Sequence, residues 1–428
     1  MSDAPRLRHA LPPVYAAAAM RLLLPLVILP LVASRVGPEE FGRLSFILVW
    51  ASVLAMIVEG GCLAAATRLA VTATAPRRWQ IAQQVFTARC VLCVPAVGVA
   101  IVAAQLAGSG AAHRGADTVA IAALGCALGW PATWYLQATQ QLNRWARVEL
   151  VVYLALFAAC WAFAYSVQTY LLLQFAAMAL LAWLGWRWLR RDFAADDDTD
   201  ASTSTASSRP ALWTRAELGD GLRLGWTMLP VTIAGAAYSY ALPAAASLQM
   251  ARAELGTYFM ADRIVRAVLG AAEPVFAVVY PRIVALFARG ARAALRYAAA
   301  WSVAGALTGA LLLALGWIAW PLIEPRVLPH SGGLDVPGVR AVLAILGMLL
   351  PLLLGWKFIG YWMLGSGRFD AAYRRCVIVG GIVGVAGAAT LGGAAGPVGL
   401  AWTALTAETA VIAAALLGMR LTRRAGHA

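Results

Sequence analysis

The sequence predicts an all-α, polytopic membrane protein with about twelve transmembrane helices, arranged as two six-helix lobes related by a parallel repeat. Composition is the first reason: 62 % of the residues are hydrophobic, 13 % are charged, and the mean hydropathy is +0.74. Polytopic membrane proteins have such a composition, whereas soluble proteins of this length do not. The second reason is the number of long apolar runs, and the third is a match between the two halves of the chain.

The apolar runs are long enough to cross a bilayer, which takes about 20 helical residues. Six runs fall in the first half of the chain, namely Leu11–Ser34, Leu44–Ala66, Ile81–Ala107, Thr118–Gln137, Glu149–Gln168 and Tyr170–Trp188. Six more fall in the second half, namely Leu222–Ser247, Tyr258–Tyr280, Ala298–Ile323, Val339–Leu364, Cys376–Gly393 and Val398–Met419. The first run is too long for a secretory signal peptide and lacks a small-residue cleavage site.

The two halves match when the sequence is shifted by 214 positions, half of its 428 residues. The shift places Glu40-Phe41-Gly42 on Glu254-Leu255-Gly256, and the other charged matches are Glu59 with Glu273, Arg68 with Arg282 and Arg78 with Arg292. Internal repeats are typical of secondary transporters. We therefore predict one lobe over residues 1–193, a disordered, acidic and Ser/Thr-rich cytoplasmic linker over residues 194–213, and a second lobe over residues 214–428.

Basic residues orient the chain in the membrane. With a cytoplasmic N-terminus, the inner loops and tails hold 23 arginines and the outer ones hold 5. The positive-inside rule then places both termini in the cytoplasm. The formal net charge of +14 is thereby explained as a topology signal, so we expect the lipid bilayer and no nucleic acid as a partner.

One predicted span carries charges that a membrane helix does not normally contain. The run Tyr258–Tyr280 includes Asp262, Arg263, Arg266 and Glu273. At about 100° per residue, Asp262, Arg266 and Glu273 share one stripe of a helix, with Arg263 to one side. Charges at bilayer depth are costly and normally face a bundle interior or a watery cavity. A mutually neutralising pair between Asp262 and Arg266 is the alternative.

Further candidate cavity residues lie in other predicted spans. They are Arg21, Glu59 and Lys357, and Glu408 is a candidate for coupling transport to a proton or sodium gradient. Guanidinium groups bind phosphate in forked pairs, so Arg21, Arg263 and Arg266 favour an anionic cargo that bears phosphate. Snorkelling remains open for Arg21 and Lys357, and a structural role at the lobe interface remains open for Glu59 and Glu273.

The sequence indicates no enzyme chemistry and no resident cofactor or metal. The cysteines lie in or beside apolar runs, where inert buried thiols are expected, and the histidines fall in tails or loops without ligand spacing. No nucleophile motif is present. We therefore expect no catalytic residues.

Six segments of the sequence carry a resemblance to a known family. In the first half they are residues Leu24–Phe46, Val58–Gly61, Ala66–Ala70 and Trp134–Glu149; in the second half they are Glu254–Val268 and Val279–Phe287. Together they resemble the polysaccharide-exporter branch of the MOP superfamily, the Wzx-type flippases of lipid-linked oligosaccharides. The resemblance implies two six-helix lobes around a central cavity that opens alternately inward and outward. It also implies a polyprenyl-diphosphate-linked oligosaccharide as cargo, the bacterial inner membrane as location, and contacts with other polysaccharide assembly proteins.

Three other functions compete with this interpretation. A multidrug or cation antiporter of the same superfamily would need acidic cavity residues without the arginines. A lipid II flippase is compatible with the sequence. A membrane glycosyltransferase or glycan polymerase would need catalytic residues on a sizeable outer loop, and the longest predicted outer loop, Glu324–Gly338, is too small for a folded domain.

Overall fold

The structure is a computed structural model, and it describes residues 20, 24–25, 27–71, 73–106, 111–139, 141–200, 212–213, 215, 217–224, 242–287, 290–327, 336–365 and 370–425. Every regular element within these ranges is a helix, which confirms the predicted all-α class. Arg21 lies outside the described residues, as do residues 225–241 of the seventh predicted span and residues 201–211 of the predicted linker.

The helices are numbered in chain order. They are α1 (Val27–Val36), α2 (Pro38–Glu59), α3 (Cys62–Ala70), α4 (Ala75–Leu106), α5 (Ala111–Gly129), α6 (Thr133–Ala138), α7 (Leu142–Phe163), α8 (Val167–Asp200), α9 (218–224), α10 (Leu242–Ser247), α11 (Arg252–Ala271), α12 (Glu273–Leu286), α13 (Ala291–Val327), α14 (Val336–Gly347), α15 (Leu349–Gly365), α16 (Asp370–Gly387) and α17 (Gly393–Ala425). A π-helical turn, Ala388–Gly392, joins α16 to α17. Helix α8 continues to Asp200 and so runs past Ala194, where the linker was predicted to begin.

Eight stretches of the described residues are long and apolar enough to cross a membrane. They are Pro38–Glu59, Ala75–Leu106, His113–Ala138, Leu142–Phe163, Val167–Phe193, Ala291–Leu322, Pro337–Gly360 and Ile378–Arg420. The last stretch contains most of two predicted spans. They are separated by a break at Gly396, where the backbone leaves the helical conformation (φ 57°, ψ −142°) just before Pro397. The total of twelve spans stays a prediction.

The chain reverses direction at Gly396, so α16 and α17 form an antiparallel hairpin. A Cβ atom built on Gly387 would lie 2.4 Å from Thr403, and one built on Gly418 would lie 3.0 Å from Ala372. The start of α16 therefore lies beside the end of α17, and the end of α16 lies beside the start of α17. Close packing of small residues at these positions is typical of helix pairs in membranes.

Contacts divide the described residues into two compact units. The first unit is drawn from Met1–Met20, Ile47–Ala164 and Gln168–Ala236, and the second from Arg21–Phe46, Tyr165–Val167 and Ala237–Ala428. Helix α2 contributes its first part to the second unit and its remainder to the first. The predicted lobe over residues 1–193 thus supplies residues to both units.

The second predicted span is interrupted at a pair of glycines in the first unit. Gly60 and Gly61 both have positive φ angles, 58° and 75°, which glycine adopts without the penalty of a Cβ atom. The carboxylate of Glu59 accepts hydrogen bonds from the backbone N–H groups of Gly61, at 3.0 Å, and of Leu63. Glu59 therefore satisfies donors at the start of α3 that have no partner within the helix.

The eighth predicted span, Tyr258–Tyr280, is also interrupted rather than continuous. Helix α11 ends at Ala271 and α12 begins at Glu273. Proline at position 274 has no backbone N–H to donate to a preceding carbonyl group, so the helix breaks here. The break separates Glu273 from the stripe on which we predicted it to lie with Asp262 and Arg266.

The two copies of the repeated Glu-x-Gly motif meet inside the second unit, where the start of α2 crosses the start of α11. A Cβ atom built on Gly42 would lie 1.7 Å from the carbonyl oxygen of Arg252, and one built on Gly256 would lie 3.4 Å from Cα of Gly42. Close backbone approach therefore requires glycine at position 42, while a side chain at position 256 would be tightly packed. The guanidinium group of Arg252 lies over the ring of Phe46, 4.0 Å from its centroid, and adds a cation–π contact.

Candidate functional site

A small cavity in the second unit brings together charged residues from two helices. Its volume is about 60 Å³. The lining comes from α10, α11, α15, α16 and α17, and consists of Leu242, Pro243, Tyr258, Asp262, Val265, Arg266, Leu269, Leu349, Leu353, Gly380, Gly381, Gly384, Ala404, Ala407 and Glu408. A water molecule occupies roughly 30 Å³ in the liquid, so this space suits a few waters or one small ion and is too small for an oligosaccharide.

Helix α11 supplies three of the polar groups. Tyr258, Asp262 and Arg266 are four residues apart, and at 3.6 residues per turn this spacing places them on one face. Nε of Arg266 donates a hydrogen bond of 2.6 Å to Oδ2 of Asp262. The side chain of Arg266 is 44 % exposed while that of Asp262 is 14 % exposed, so the carboxylate is the more enclosed partner. The pair therefore both lines the cavity and neutralises itself.

Helix α17 supplies the fourth polar group, the carboxyl group of Glu408, which is buried. Within the described part of the chain, Glu408 has neither a hydrogen bond nor an ion pair. Burying an unpaired carboxylate is costly, so an ionised Glu408 needs a cation beside it, and a neutral one needs a proton. This position is chemically suited to take up and release a small cation.

Glycine residues on α16 leave space for the cavity. A Cβ atom built on Gly381 would have no neighbour within 4 Å, and one built on Gly384 would lie at 3.5 Å from Leu242. The sequence analysis did not include Tyr258 or these glycines among the candidates. The spacing of Tyr258 from Asp262 and Arg266 is a signal that could have identified the tyrosine, whereas nothing in the sequence places α16 against α11.

Three other predicted site residues lie outside this cavity. Lys357 donates a hydrogen bond to Glu273, and its ammonium group also lies 4.2 Å from the ring centroid of Phe276. The guanidinium group of Arg263 lies 4.6 Å from the ring centroid of Phe259. Glu273 and Lys357 thus form an ion pair between α12 and α15, apart from Asp262 and Arg266.

A second group of buried polar residues lies in the first unit, around Arg89 of α4. Nη1 of Arg89 donates hydrogen bonds to the carbonyl oxygens of Trp130, at 2.7 Å, and Pro131, at 2.9 Å. Glu59 and Cys62 lie close enough to interact electrostatically with the guanidinium group. Residues 130–132 separate α5 from α6, so Arg89 satisfies carbonyl groups at an interrupted helix. The predicted cavity residue Glu59 therefore belongs to a cluster that stabilises helix breaks.

The described residues contain no group of three or more His, Cys, Asp or Glu side chains that could hold a metal ion. All six cysteines are free thiols.

The model of the family described as polysaccharide biosynthesis protein matches residues 15–287. A search among curated proteins gave no match. Among solved structures, the inward closed conformation of the lipid II flippase MurJ superimposes with a TM-score of 0.70 at 12 % identity, covering 94 % of this chain and 86 % of that one. An inward-facing multidrug resistance MATE family transporter of the MOP superfamily gives a TM-score of 0.62 at 13 % identity, covering 96 % of this chain and 98 % of that one.

At these identities the structural likeness shows the fold alone, while the family model covers well over half of the sequence. The fold also agrees with the resemblance carried by residues 24–46 and 254–268. The chain therefore belongs to the polysaccharide biosynthesis protein family, and its fold is similar to those of the lipid II flippase and of the MATE transporter of the MOP superfamily.

Proposed function

We propose that this transporter moves a polyprenyl-diphosphate-linked oligosaccharide, a repeat unit of O-antigen, capsule or exopolysaccharide, from the cytoplasmic to the outer leaflet of the bacterial inner membrane by alternating access. The observation that carries the proposal is the family match over residues 15–287. The fold of this chain resembles those of a lipid II flippase and of a multidrug transporter. Such a fold is compatible with moving an amphipathic cargo through a membrane. Neither comparison identifies the glycan.

The cavity between α11 and α17 is assigned to ion coupling in this proposal. Its volume of about 60 Å³ excludes an oligosaccharide but accommodates water and a small cation. A proton or sodium ion that enters the cavity neutralises Glu408 and competes with Arg266 for the carboxylate of Asp262. Such a competition changes the contacts between the two helices, and an ion can shift a conformational equilibrium only through a differential interaction of this kind.

The test of the transport function is complementation of a deletion strain. Deletion should remove surface polysaccharide and make the lipid-linked intermediate accumulate with its glycan facing the cytoplasm, and the wild-type gene should reverse both effects. The orientation of the intermediate is measured with a sugar-modifying enzyme that cannot cross the membrane. If complete repeat units instead reach the outer leaflet but stay unjoined, the protein acts after flipping and the proposal is wrong.

A lipid II cargo is the second candidate, because the MurJ structure shares the fold at a TM-score of 0.70. The same deletion strain separates the two cargoes. Loss of lipid II flipping would make peptidoglycan precursors accumulate and would cause lysis, whereas loss of a polysaccharide exporter would leave peptidoglycan synthesis intact.

A further inference from the structure

A pocket of about 590 Å³ lies between α7 and α8 in the first unit, apart from the ion-coupling cavity. It is lined by Val148 of α7 and by Leu184, Arg187, Trp188, Arg191 and Asp192 of α8. Apolar side chains form part of the wall, and two guanidinium groups lie on the same face of α8, four residues apart. The pocket is therefore amphipathic.

The charges around the pocket leave a net positive mouth. Within the described ranges, neither Arg187 nor Arg191 is in an ion pair, and both side chains are exposed. The guanidinium group of Arg187 lies 4.9 Å from the ring centroid of Trp183. The carboxylate of Asp192 already accepts hydrogen bonds from Tyr135, at 3.0 Å, and from Gln141, at 2.7 Å. This carboxylate is thus occupied by neutral donors rather than by the two arginines.

The position of the pocket along α8 corresponds to the membrane–water boundary. The apolar part of α8 ends at Phe193, so Arg187 and Arg191 fall in its last two turns. Three tryptophans lie beside these arginines in the sequence, at positions 183, 186 and 188. Tryptophan is enriched at the depth of lipid headgroups. Leu184 and Val148 lie on the apolar side of the two arginines, where a lipid chain would enter the bilayer core.

We propose that this pocket binds one anionic phospholipid of the surrounding bilayer. Arg187 and Arg191 hold the headgroup phosphate through charge-assisted hydrogen bonds, and the chains pass along Leu184 and Val148 between α7 and α8. Basic pockets between membrane helices are suited to anionic headgroups, and the volume is within the range of small-molecule sites. The proposal does not depend on which cargo the protein transports.

The experiment uses the full-length protein purified in detergent and compares phosphatidylglycerol with phosphatidylcholine. Native mass spectrometry counts retained lipids, and the melting temperature reports stabilisation. The test variant carries Arg187→Gln and Arg191→Gln. The matched control carries Arg144→Gln and Arg190→Gln, because these two arginines are exposed, lie on the same two helices and do not line the pocket. A third variant, Val148→Trp, narrows the pocket beside the proposed path of the lipid chains without changing the charge.

We expect phosphatidylglycerol to stabilise the wild type and the matched control more than phosphatidylcholine does. Its affinity should fall roughly fivefold for each pocket arginine removed. Val148→Trp should reduce lipid retention at an unchanged melting temperature of the lipid-free protein.

Three results would overturn the proposal. The first is an equal loss in the matched control, which would indicate diffuse charge attraction. The second is full stabilisation by inorganic phosphate alone, which would indicate a site for a free anion. The third is undiminished binding in Val148→Trp, which would show that no lipid chain occupies the pocket.

Discussion

The side chain of Arg89 is only 1 % exposed, although it lies in a helix long and apolar enough to cross a membrane. Its two hydrogen bonds go to the carbonyl oxygens of Trp130 and Pro131, and Nε1 of Trp186 donates to the same oxygen of Trp130 at 3.0 Å. A break in a membrane helix is tolerated only where other groups satisfy the freed backbone. Arg89 therefore acts first as a structural residue.

Replacing Arg89 by glutamine should destabilise the protein. The change removes a charged donor from two carbonyl groups, and losing a hydrogen bond made by a charged group typically costs about 1.5–3 kcal/mol. The measurement is the melting temperature of the purified protein, with the exposed Arg292→Gln as the control. A variant that melts like the wild type but exports no polysaccharide would instead assign Arg89 to transport.

Glu408 is the residue at which loss of a titratable group should affect transport rather than stability. Glu408→Gln keeps the shape of the side chain but cannot carry a negative charge, so export should slow and lose its response to collapse of the proton or sodium gradient. Export is followed in cells with and without an ionophore, and Glu39→Gln, at an exposed position of α2, is the control. Gradient-dependent export by Glu408→Gln at the wild-type rate would remove this residue from the coupling site.

At the scale of single elements, the interruptions of the helices follow from local chemistry. Gly60 and Gly61 end α2 through positive φ angles, and Pro274 prevents α11 from continuing into α12. The two breaks fall at matched places of the repeat, since Glu59 and Glu273 are 214 residues apart. The partners differ, however: Glu59 satisfies backbone donors of α3, whereas Glu273 pairs with Lys357.

The crossing of α2 and α11 gives the clearest prediction for a backbone contact. In Gly42→Ala the new methyl group would lie 1.7 Å from a backbone carbonyl oxygen, so the helices must move apart, at a cost of about 1–3 kcal/mol. Gly316→Ala is the matched control, because it also lies inside a helix but has no neighbour within 4 Å of its Cβ position. Melting temperatures decide the outcome: the control should be neutral or slightly stabilised, and equal effects would mean that the helices do not cross closely at Gly42.

At the scale of the whole molecule, the distribution of arginines predicts the topology. Inner segments carry 23 arginines and outer segments 5 when both termini are cytoplasmic. A reporter that is active only in the cytoplasm should therefore fluoresce when fused after Arg191 or at the C-terminus, and should stay dark when fused after Gly110. Fluorescence after Gly110 would contradict the predicted orientation, and opposite signals after Arg191 and at the C-terminus would contradict an even number of spans between these two points.

Much of the fold could be predicted because a bilayer imposes length and apolarity on each spanning helix. The predicted run Ala298–Ile323 lies within α13, for example, and residues 81–106 of the predicted run Ile81–Ala107 lie in α4. The boundaries of the contact units could not be predicted in this way. Whether the start of α2 packs with α11 depends on the approach of Gly42 to Arg252, and the sequence repeat marks both motifs without showing that they touch.

The sequence by itself determined the all-α membrane class, the family and the charged residues of α11, because hydropathy and scarce membrane charges are properties of local sequence. Only the tertiary structure decided which of these charges share a site. Asp262 and Arg266 share a cavity with Glu408, which is over 140 residues away, while Glu273 turns to Lys357. The physical reason is that a helix fixes neighbours three and four residues apart, whereas contacts between helices depend on how their surfaces pack.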